Sequence, residues 1–355
     1  MKELITNTYK GKKVFITGHT GFKGSWLALW LSHLGADVTG YALKPNTNPS
    51  IFNEINLASK IHHIVGDIRD EAGLAEAVKK AQPEFVFHLA AQPLVSVSYD
   101  DPKYTFETNT MGLINLFEAV RKVDSVKVFV NVTSDKCYEN MEKDYAYIET
   151  DKMGGYDPYS CSKGVSELIT NSYRNSFFKD TDVALASARA GNVIGGGDWS
   201  KDRLVPDCVK ALSENKDITI RNPIAVRPWQ HVLDPLMGYL FLGAKMAKDN
   251  KKFNEGWNFG PKKDSVLNVE QIVSKVIENW GSGKYIVDGS QKFHEAKLLQ
   301  LNIDKATKEL GWTPVFDCNE AVAETVSWYK NFYDKTGSVY DFSINQIKSY
   351  MGKMS

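Results

Sequence analysis

Cysteine is scarce in this chain: Cys137, Cys161, Cys208 and Cys318 are the four in 355 residues, and no two form a C-x-x-C pair. That excludes a disulfide framework and points to reduced thiols in a cytoplasmic protein. Net charge is missing as well, since 43 Lys+Arg balance 43 Asp+Glu. Without a basic excess, neither nucleic acid nor an anionic membrane surface is an expected partner. No apolar run approaches the roughly 18 residues of a membrane span, and the opening MKELITNTYKGKK has no apolar core of a secretory leader. The seven histidines are scattered, so no metal site is expected. Repeats and low-complexity segments are absent too.

What the chain does have is a 43% hydrophobic composition, enough for one large or two modest domains. Short apolar runs alternate with amphipathic stretches. VFIT (14–17), DVTGY (37–41), IHHIVGD (61–67), EFVFHLA (84–90), KVFVNVTS (127–134) and DVALASARA (182–190) read as strands. Helical patterns fill the gaps: SWLALWLSHLG with Gly35 as its cap, then 103–122 and 159–178. Strands apolar on both faces, alternating with helices, predict an α/β fold with a Rossmann-type doubly wound parallel sheet. Ligands then bind beyond the carboxyl ends of the strands. Residues 1–190, with about 226–261, form the expected NAD-binding domain, NEGWNFGP (254–261) returning to the sheet. A smaller C-terminal α/β lobe for the substrate takes about 191–225 and 262–355, with a helix at 203–214 and a strand at 218–222.

The motifs fall at those strand ends. Thr17-Gly18-His19-Thr20-Gly21-Phe22-Lys23-Gly24 follows the first strand and opens a helix, the arrangement that seats a pyrophosphate on a helix N-terminus. Gly18, Thr20, Gly21, Phe22, Lys23 and Gly24 are therefore cofactor candidates. Asp67 and Ile68 close the third strand, where the Asp67 carboxylate either accepts from an adenine amine or caps the helix at 70–81. Leu89, Ala90 and Ala91 are small enough to let a ribose lie on the backbone, and Asn109 either faces the site or caps a neighbouring loop. His88, inside an apolar strand, reads as a core histidine. The second strand ends in Ala42-Leu43-Lys44 with no acid for ribose hydroxyls, and Lys44 either meets a 2′-phosphate or is a solvated loop lysine, so this feature does not separate NAD from NADP.

Tyr159 and Lys163 stand one helical turn apart. A phenol beside an ammonium loses its proton more readily, which suits oxidation of a sugar or alcohol carbon by a nicotinamide. Ser134-Asp135-Lys136 adds an acid and a potential base, the equipment for eliminating water.

TGHTGFKG, HLAAQ, VTSDKCYEN, YDPYSCSKG and RAGNVIGGGDW resemble the extended short-chain dehydrogenase/reductase family along nearly the whole chain, and within it the nucleotide-sugar 4,6-dehydratases. Asp135-Lys136 stands where the enzymes for deoxythymidine-diphosphate glucose have Asp-Glu. That departure is shared with the CDP-glucose branch and with inverting UDP-N-acetylglucosamine dehydratases; SDKCYEN, RAGNVIGGGDW and RPWQHVLDP are closest to the CDP-glucose branch. The resemblance implies an NAD-dependent lyase acting on CDP-glucose in deoxysugar supply for surface polysaccharide of the O-antigen type. Its catalytic residues would be Ser134, Asp135, Lys136, Tyr159 and Lys163. Tyr159 takes the 4-hydroxyl proton, Asp135 protonates the leaving 6-hydroxyl, and Lys136 is either the base for C5 or an ion pair orienting Asp135. Gln92, Asn192, Arg203, Arg227 and His294 are the candidates for holding substrate, with Trp199 either stacking on it or filling the lobe interface. The helices 103–122 and 159–178 would pair two copies into a homodimer. Another nucleotide-sugar 4,6-dehydratase, or a 4-epimerase of the same family, is the alternative.

Overall fold

The computed structural model describes residues 1–262, 265–288 and 299–354. Seven parallel strands form the central sheet: β1 (Lys13–Thr17), β2 (Asp37–Ala42), β3 (His62–Val65), β4 (Phe85–His88), β5 (Val128–Val132), β6 (Ala184–Ala190) and β7 (Gly256–Phe259). Their order is β7-β6-β5-β4-β1-β2-β3, so the chain reverses direction across the sheet beside β1. The crevice at that reversal is where open α/β sheets bind ligands. Every residue of β5 and β6 is buried, as expected for strands covered on both faces. One apolar cluster, with Ile16, Val130 and Trp257, covers one face; the other, with Phe15, Val86 and Phe129, covers the opposite face.

The helix Phe22–His33 is buried from Gly24 to Leu31. It is apolar all round because it lies between the sheet and the C-terminal helix Val339–Lys353, with Trp30 and Tyr350 rings 5.6 Å apart. It ends where the sequence indicates. Gly35 adopts φ +83°, its N–H bonds Ser32 and that of Ala36 bonds Leu31, which satisfies the last carbonyls of the helix.

The stretch 103–122 differs from its expected single helix. It is Pro102–Phe106, a wide π-turn over Glu107–Met111, then Gly112–Val120. Such turns displace one side chain from the helical register, and here Asn109 lies in the displaced turn. The segment predicted as helix 159–178 forms Pro158–Ser176, started by Asp157, which accepts from the Ser160 N–H, and by Pro158 at its first turn.

The remaining chain builds short ribbons around helices Leu204–Ser213, Val269–Trp280 and Cys318–Asp334. Ile218–Ile220 pairs with Tyr285–Val287, a strand the sequence reading does not place, and Val226–Pro228 pairs with Val266–Asn268. The glycines of GNVIGGGDW let this region close on itself. A Cβ on Gly196 would stand 2.0 Å from the Trp328 ring, and Gly197 adopts φ +85°. Trp199 packs among Trp328, Tyr329 and Phe332, so its ring is engaged by the helix Cys318–Asp334.

Candidate active site

The glycine loop lies at the reversal of strand order, and its glycines have different reasons to be there. A Cβ on Gly18 would sit 2.7 Å from the Ala90 nitrogen, and one on Gly24 2.1 Å from the Gly18 oxygen; both are required by packing. Gly21 is required by nothing so near, its closest neighbour lying at 3.5 Å. It begins the helix Phe22–His33 with no side chain capping that end and no acid in the first turn. Thr20, Gly21 and Phe22 line a cleft facing Asn46, Thr47 and Gly197–Ser200. An uncapped helix start at a cleft suits a phosphate group, so these residues fit a dinucleotide. Lys23 is buried beside it, its Nζ donating to the Tyr239 hydroxyl at 3.1 Å. Burial, with Arg203 and Lys163 nearby, lowers its pKa to about 7.

The helix Glu71–Ala81 is capped by Asp70, not by Asp67. Asp67 instead chelates Arg69 at 2.6–3.2 Å, and that guanidinium holds its carboxyl below the usual range. Ile68 is buried against Gly112. His88 is buried, bonded to the Thr17 hydroxyl at 2.7 Å, and neutral, its pKa lowered to about 3 by burial.

Asn109 joins two parts of the site. It accepts from the Gln92 N–H (2.8 Å), donates to the Gln92 oxygen (3.1 Å) and donates to the Ser162 hydroxyl (2.9 Å). It thereby ties the loop after β4, with Leu89, Ala90 and Ala91, to the helix carrying Tyr159. The Gln92 side chain bonds Leu94 and Thr105, which commits it to shaping this loop.

Ser134 lies just past β5 and caps the turn Asp135–Cys137. Its Oγ donates to Asp135 Oδ1 at 2.9 Å and accepts the Lys136 N–H at 3.2 Å. Ser134, Asp135, Tyr159 and Lys163 are all at most 8% exposed. Burial raises Asp135, and the charges of Lys136 and Lys23 only partly offset it. Burial also pushes Tyr159 up to about 12, opposed by its hydrogen bond with Ser134, and lowers Lys163 to about 8. Lys136 is half-buried. The arrangement holds a phenol, a carboxyl whose pKa burial raises and a lysine within one buried group, the groups that oxidation followed by elimination uses.

Arg203 turns toward this group. Asp198, itself 4% exposed, holds its guanidinium at 3.1 Å, and its charge is felt at both Tyr159 and Lys23. Asn192 follows β6 half-buried; Arg227 sits on the ribbon opposite Leu267; His294 lies outside the described residues. Sequence reasoning missed Glu167, one turn beyond Lys163, which accepts from Ser187 at 2.7 Å and from Arg189 at 2.8 Å and is also bonded by Thr133. The signal was available: a carboxylate four residues after Lys163 on the same helix face.

Residues 15–325 match the family described as GDP-mannose 4,6 dehydratase. The chain is 49% identical over 330 residues to CDP-glucose 4,6-dehydratase of Salmonella typhimurium, covering 91% of this chain and 92% of that protein. Among solved structures, the UDP-glucose 4-epimerase of Thermotoga maritima with UDP-glucose superposes with a TM-score of 0.78 at 24% identity, covering 90% and 99% of the two chains. The dTDP-glucose 4,6-dehydratase of Bacillus anthracis in complex with NAD gives 0.72 at 21%, covering 90% and 97%. Both share the fold. The family match takes in the glycine loop, Ser134 to Lys163 and most of the lobe, and on that extent this chain belongs to the GDP-mannose 4,6 dehydratase family.

Proposed function

We propose that this protein is a CDP-glucose 4,6-dehydratase, converting CDP-glucose to CDP-4-dehydro-6-deoxyglucose and water with NAD as its resident cofactor. The observation that carries the reading is Asp135: a buried carboxyl with a raised pKa, hydrogen-bonded through Ser134 to the group holding Tyr159. An epimerase has no step that uses such an acid. The identity to the Salmonella typhimurium enzyme supports the choice of sugar nucleotide. NAD held at Gly18, Thr20, Gly21 and Phe22 would supply the hydride acceptor for C4 and the hydride donor for C6. Tyr159 receives the 4-hydroxyl proton, with Lys163 beneath it. Lys136 removes the C5 proton, and Asp135 protonates the departing oxygen. Lys136 then returns its proton to C5. Asn192, Arg203 and Arg227 hold the diphosphate and nucleotide, guanidinium matching phosphate oxygens in pairs.

The cofactor domain (1–190 with about 226–261) and substrate lobe (about 191–225 and 262–355) remain the division this function uses. Two copies form the working unit. Tyr99, Met111 and Leu168, 42%, 49% and 59% exposed, lie on or beside the two long helical segments, which is apolar surface for a second copy to cover. No described helix is long and apolar enough to cross a membrane, and none of the four cysteines forms a disulfide, which suits the reducing compartment this reading assigns.

Incubation with a panel of glucose nucleotides tests the reading by mass spectrometry. CDP-glucose should give a product lighter by one water without accumulation of reduced cofactor. A product of unchanged mass with inverted C4 would overturn it in favour of an epimerase. Sedimentation at micromolar concentration showing a stable monomer would remove the dimer.

A further inference from the structure

The groups assigned to the two halves of the proposed reaction ride on different elements. Tyr159 and Lys163, which serve oxidation, stand on the helix Pro158–Ser176. Asp135 and Lys136, which serve elimination, stand on the short turn Asp135–Cys137. One sugar must meet both sets, so the turn has to keep its place relative to the helix. Within itself the turn is weakly tied. Its closing bonds, from Cys137 N–H to Ser134 O and from Tyr138 N–H to Asp135 O, span 3.3 and 3.4 Å, beyond the usual N–H···O range. The neighbouring Gly191 offers no side chain to brace it, because even a Cβ there would come within 2.6 Å of Asp135 Oδ2.

Both flanks of the turn are fastened instead to one buried ion pair. Thr133, just before it, donates from its hydroxyl to Glu167 Oε1. Tyr138, just after it, accepts at its hydroxyl from Arg189 Nη1 at 2.6 Å and donates to Asn258 Oδ1 at 2.7 Å. Glu167 and Arg189 are joined at 2.8 Å, with side chains 4% and 6% exposed. Glu167 lies on the same helix as Tyr159 and Lys163, one turn past the lysine, so its carboxylate links that helix to the turn directly. Gly164 lets the two come close, since a Cβ there would stand 3.2 Å from Cys137 O. As a device for stability the pair is poor. Apolar side chains often match a buried ion pair, and Arg189 Nε has no partner among the described residues. What apolar side chains do not supply is a directional grip on two hydroxyls at once.

We propose that the Glu167–Arg189 pair is a positioning device, which holds Thr133 and Tyr138 and so sets the acid and base of the turn against the helix carrying Tyr159; this rests on the dehydratase reading above. Loss of either grip lets the turn drift while Tyr159, Lys163 and the glycine loop keep their places. A misplacement of about 1 Å costs on the order of 10²-fold in a step that needs aligned groups. Elimination therefore suffers more than oxidation.

The test adds CDP-glucose and NAD to wild type, Thr133→Val, Thr133→Ser and Tyr138→Phe, and follows reduced-nicotinamide absorbance and product mass together. In Thr133→Val and Tyr138→Phe, elimination should slow by roughly tenfold or more relative to oxidation. Reduced cofactor should then build up during turnover alongside a 4-keto glucose nucleotide that has lost no water, with KM for CDP-glucose near wild type. Thr133→Ser keeps the hydroxyl and should behave as wild type. The ratio of reduced cofactor to dehydrated product does not depend on how much protein is folded, so partial unfolding does not imitate this signature. A double variant, Glu167→Met with Arg189→Met, should regain part of the stability lost in Glu167→Met alone and still show the build-up. Activity that falls in Thr133→Val and Tyr138→Phe without build-up of reduced cofactor would overturn the proposal. So would wild-type turnover in both, or elimination recovering along with stability in the double variant. If wild type itself yields no product lighter by one water, the dehydratase reading fails, and that is seen before any variant is made.

Discussion

Two buried carboxylates lie near the helix Pro158–Ser176, and their surroundings shift their pKa values in opposite directions. Glu167, 5% exposed, is met by Thr133, Ser187 and Arg189. Those partners outweigh its burial and keep it ionised. Asp135, 6% exposed, has one side-chain donor, Ser134, and burial wins. Arg189 extends the first network through Tyr138 to Asn258, with bonds of 2.6 Å and 2.7 Å, joining β5, β6 and β7 under the site. The difference separates a floor from a tool. A carboxylate supplied with donors fixes neighbouring strands in place, while one left short of donors is ready to carry a proton.

The largest effect should come from breaking the floor. Glu167→Ala leaves Arg189 buried without its counter-charge, which costs about 3–5 kcal/mol of stability. Urea unfolding should show a lower midpoint, and adding Arg189→Met should recover part of the loss. A change under about 1 kcal/mol would mean the pair is not holding the sheet.

Breaking the tool should do the reverse: activity falls and stability does not. Asp135→Asn cannot protonate the leaving oxygen, so dehydration should drop on the order of 10²–10⁴-fold, with a melting temperature equal to or above wild type. Oxidation still proceeds, so absorbance of reduced cofactor should rise slowly with a 4-keto glucose nucleotide trapped on the protein. Tyr159→Phe should lose on the order of 10²-fold or more while still binding substrate, and without that absorbance. Lys136→Met separates its two readings: loss of C5 hydrogen exchange with deuterated solvent makes it the base, and wild-type exchange makes it only an electrostatic neighbour of Asp135.

This contrast was half legible in the sequence. Strands, glycine loop and the Tyr159–Lys163 spacing were readable because each depends on local pattern: apolar runs, a turn that needs glycine, one helical turn. The floor was not, since Glu167, Arg189, Tyr138 and Asn258 come from four separate segments that only the closed sheet brings together. The way Arg203 is held was hidden for the same reason, because its anchor Asp198 is set by a fold in which Gly196 lets helix Cys318–Asp334 approach. The break of 103–122 at Asn109 was hidden because a π-turn leaves no mark on hydrophobic spacing.

A third buried carboxylate sharpens the comparison with the smallest expected effect. Asp234 lies in the RPWQHVLDP stretch with its Oδ1 accepting from Val315 (2.7 Å) and Tyr350 (2.8 Å), which pins the C-terminal helix to Leu233–Lys248. Its Oδ2 has no partner among the described residues, and burial raises its pKa to about 7 from 3.8. It thus resembles Asp135 in titration and Glu167 in position. A raised carboxyl binds a proton in the folded state that the unfolded chain has already released. Its stabilising contribution is therefore full below about pH 4, fades as pH rises toward about 7 and is flat above. Asp234→Asn keeps the Oδ1 acceptor and removes the charge. The variant should match wild type near pH 4 and exceed it by about 2–4 kcal/mol near pH 8, with turnover unchanged. Parallel stability profiles for the two proteins would show that Asp234 does not titrate there. A gain confined to high pH would show that a buried carboxyl left short of donors takes up its proton well above the ordinary carboxylate range.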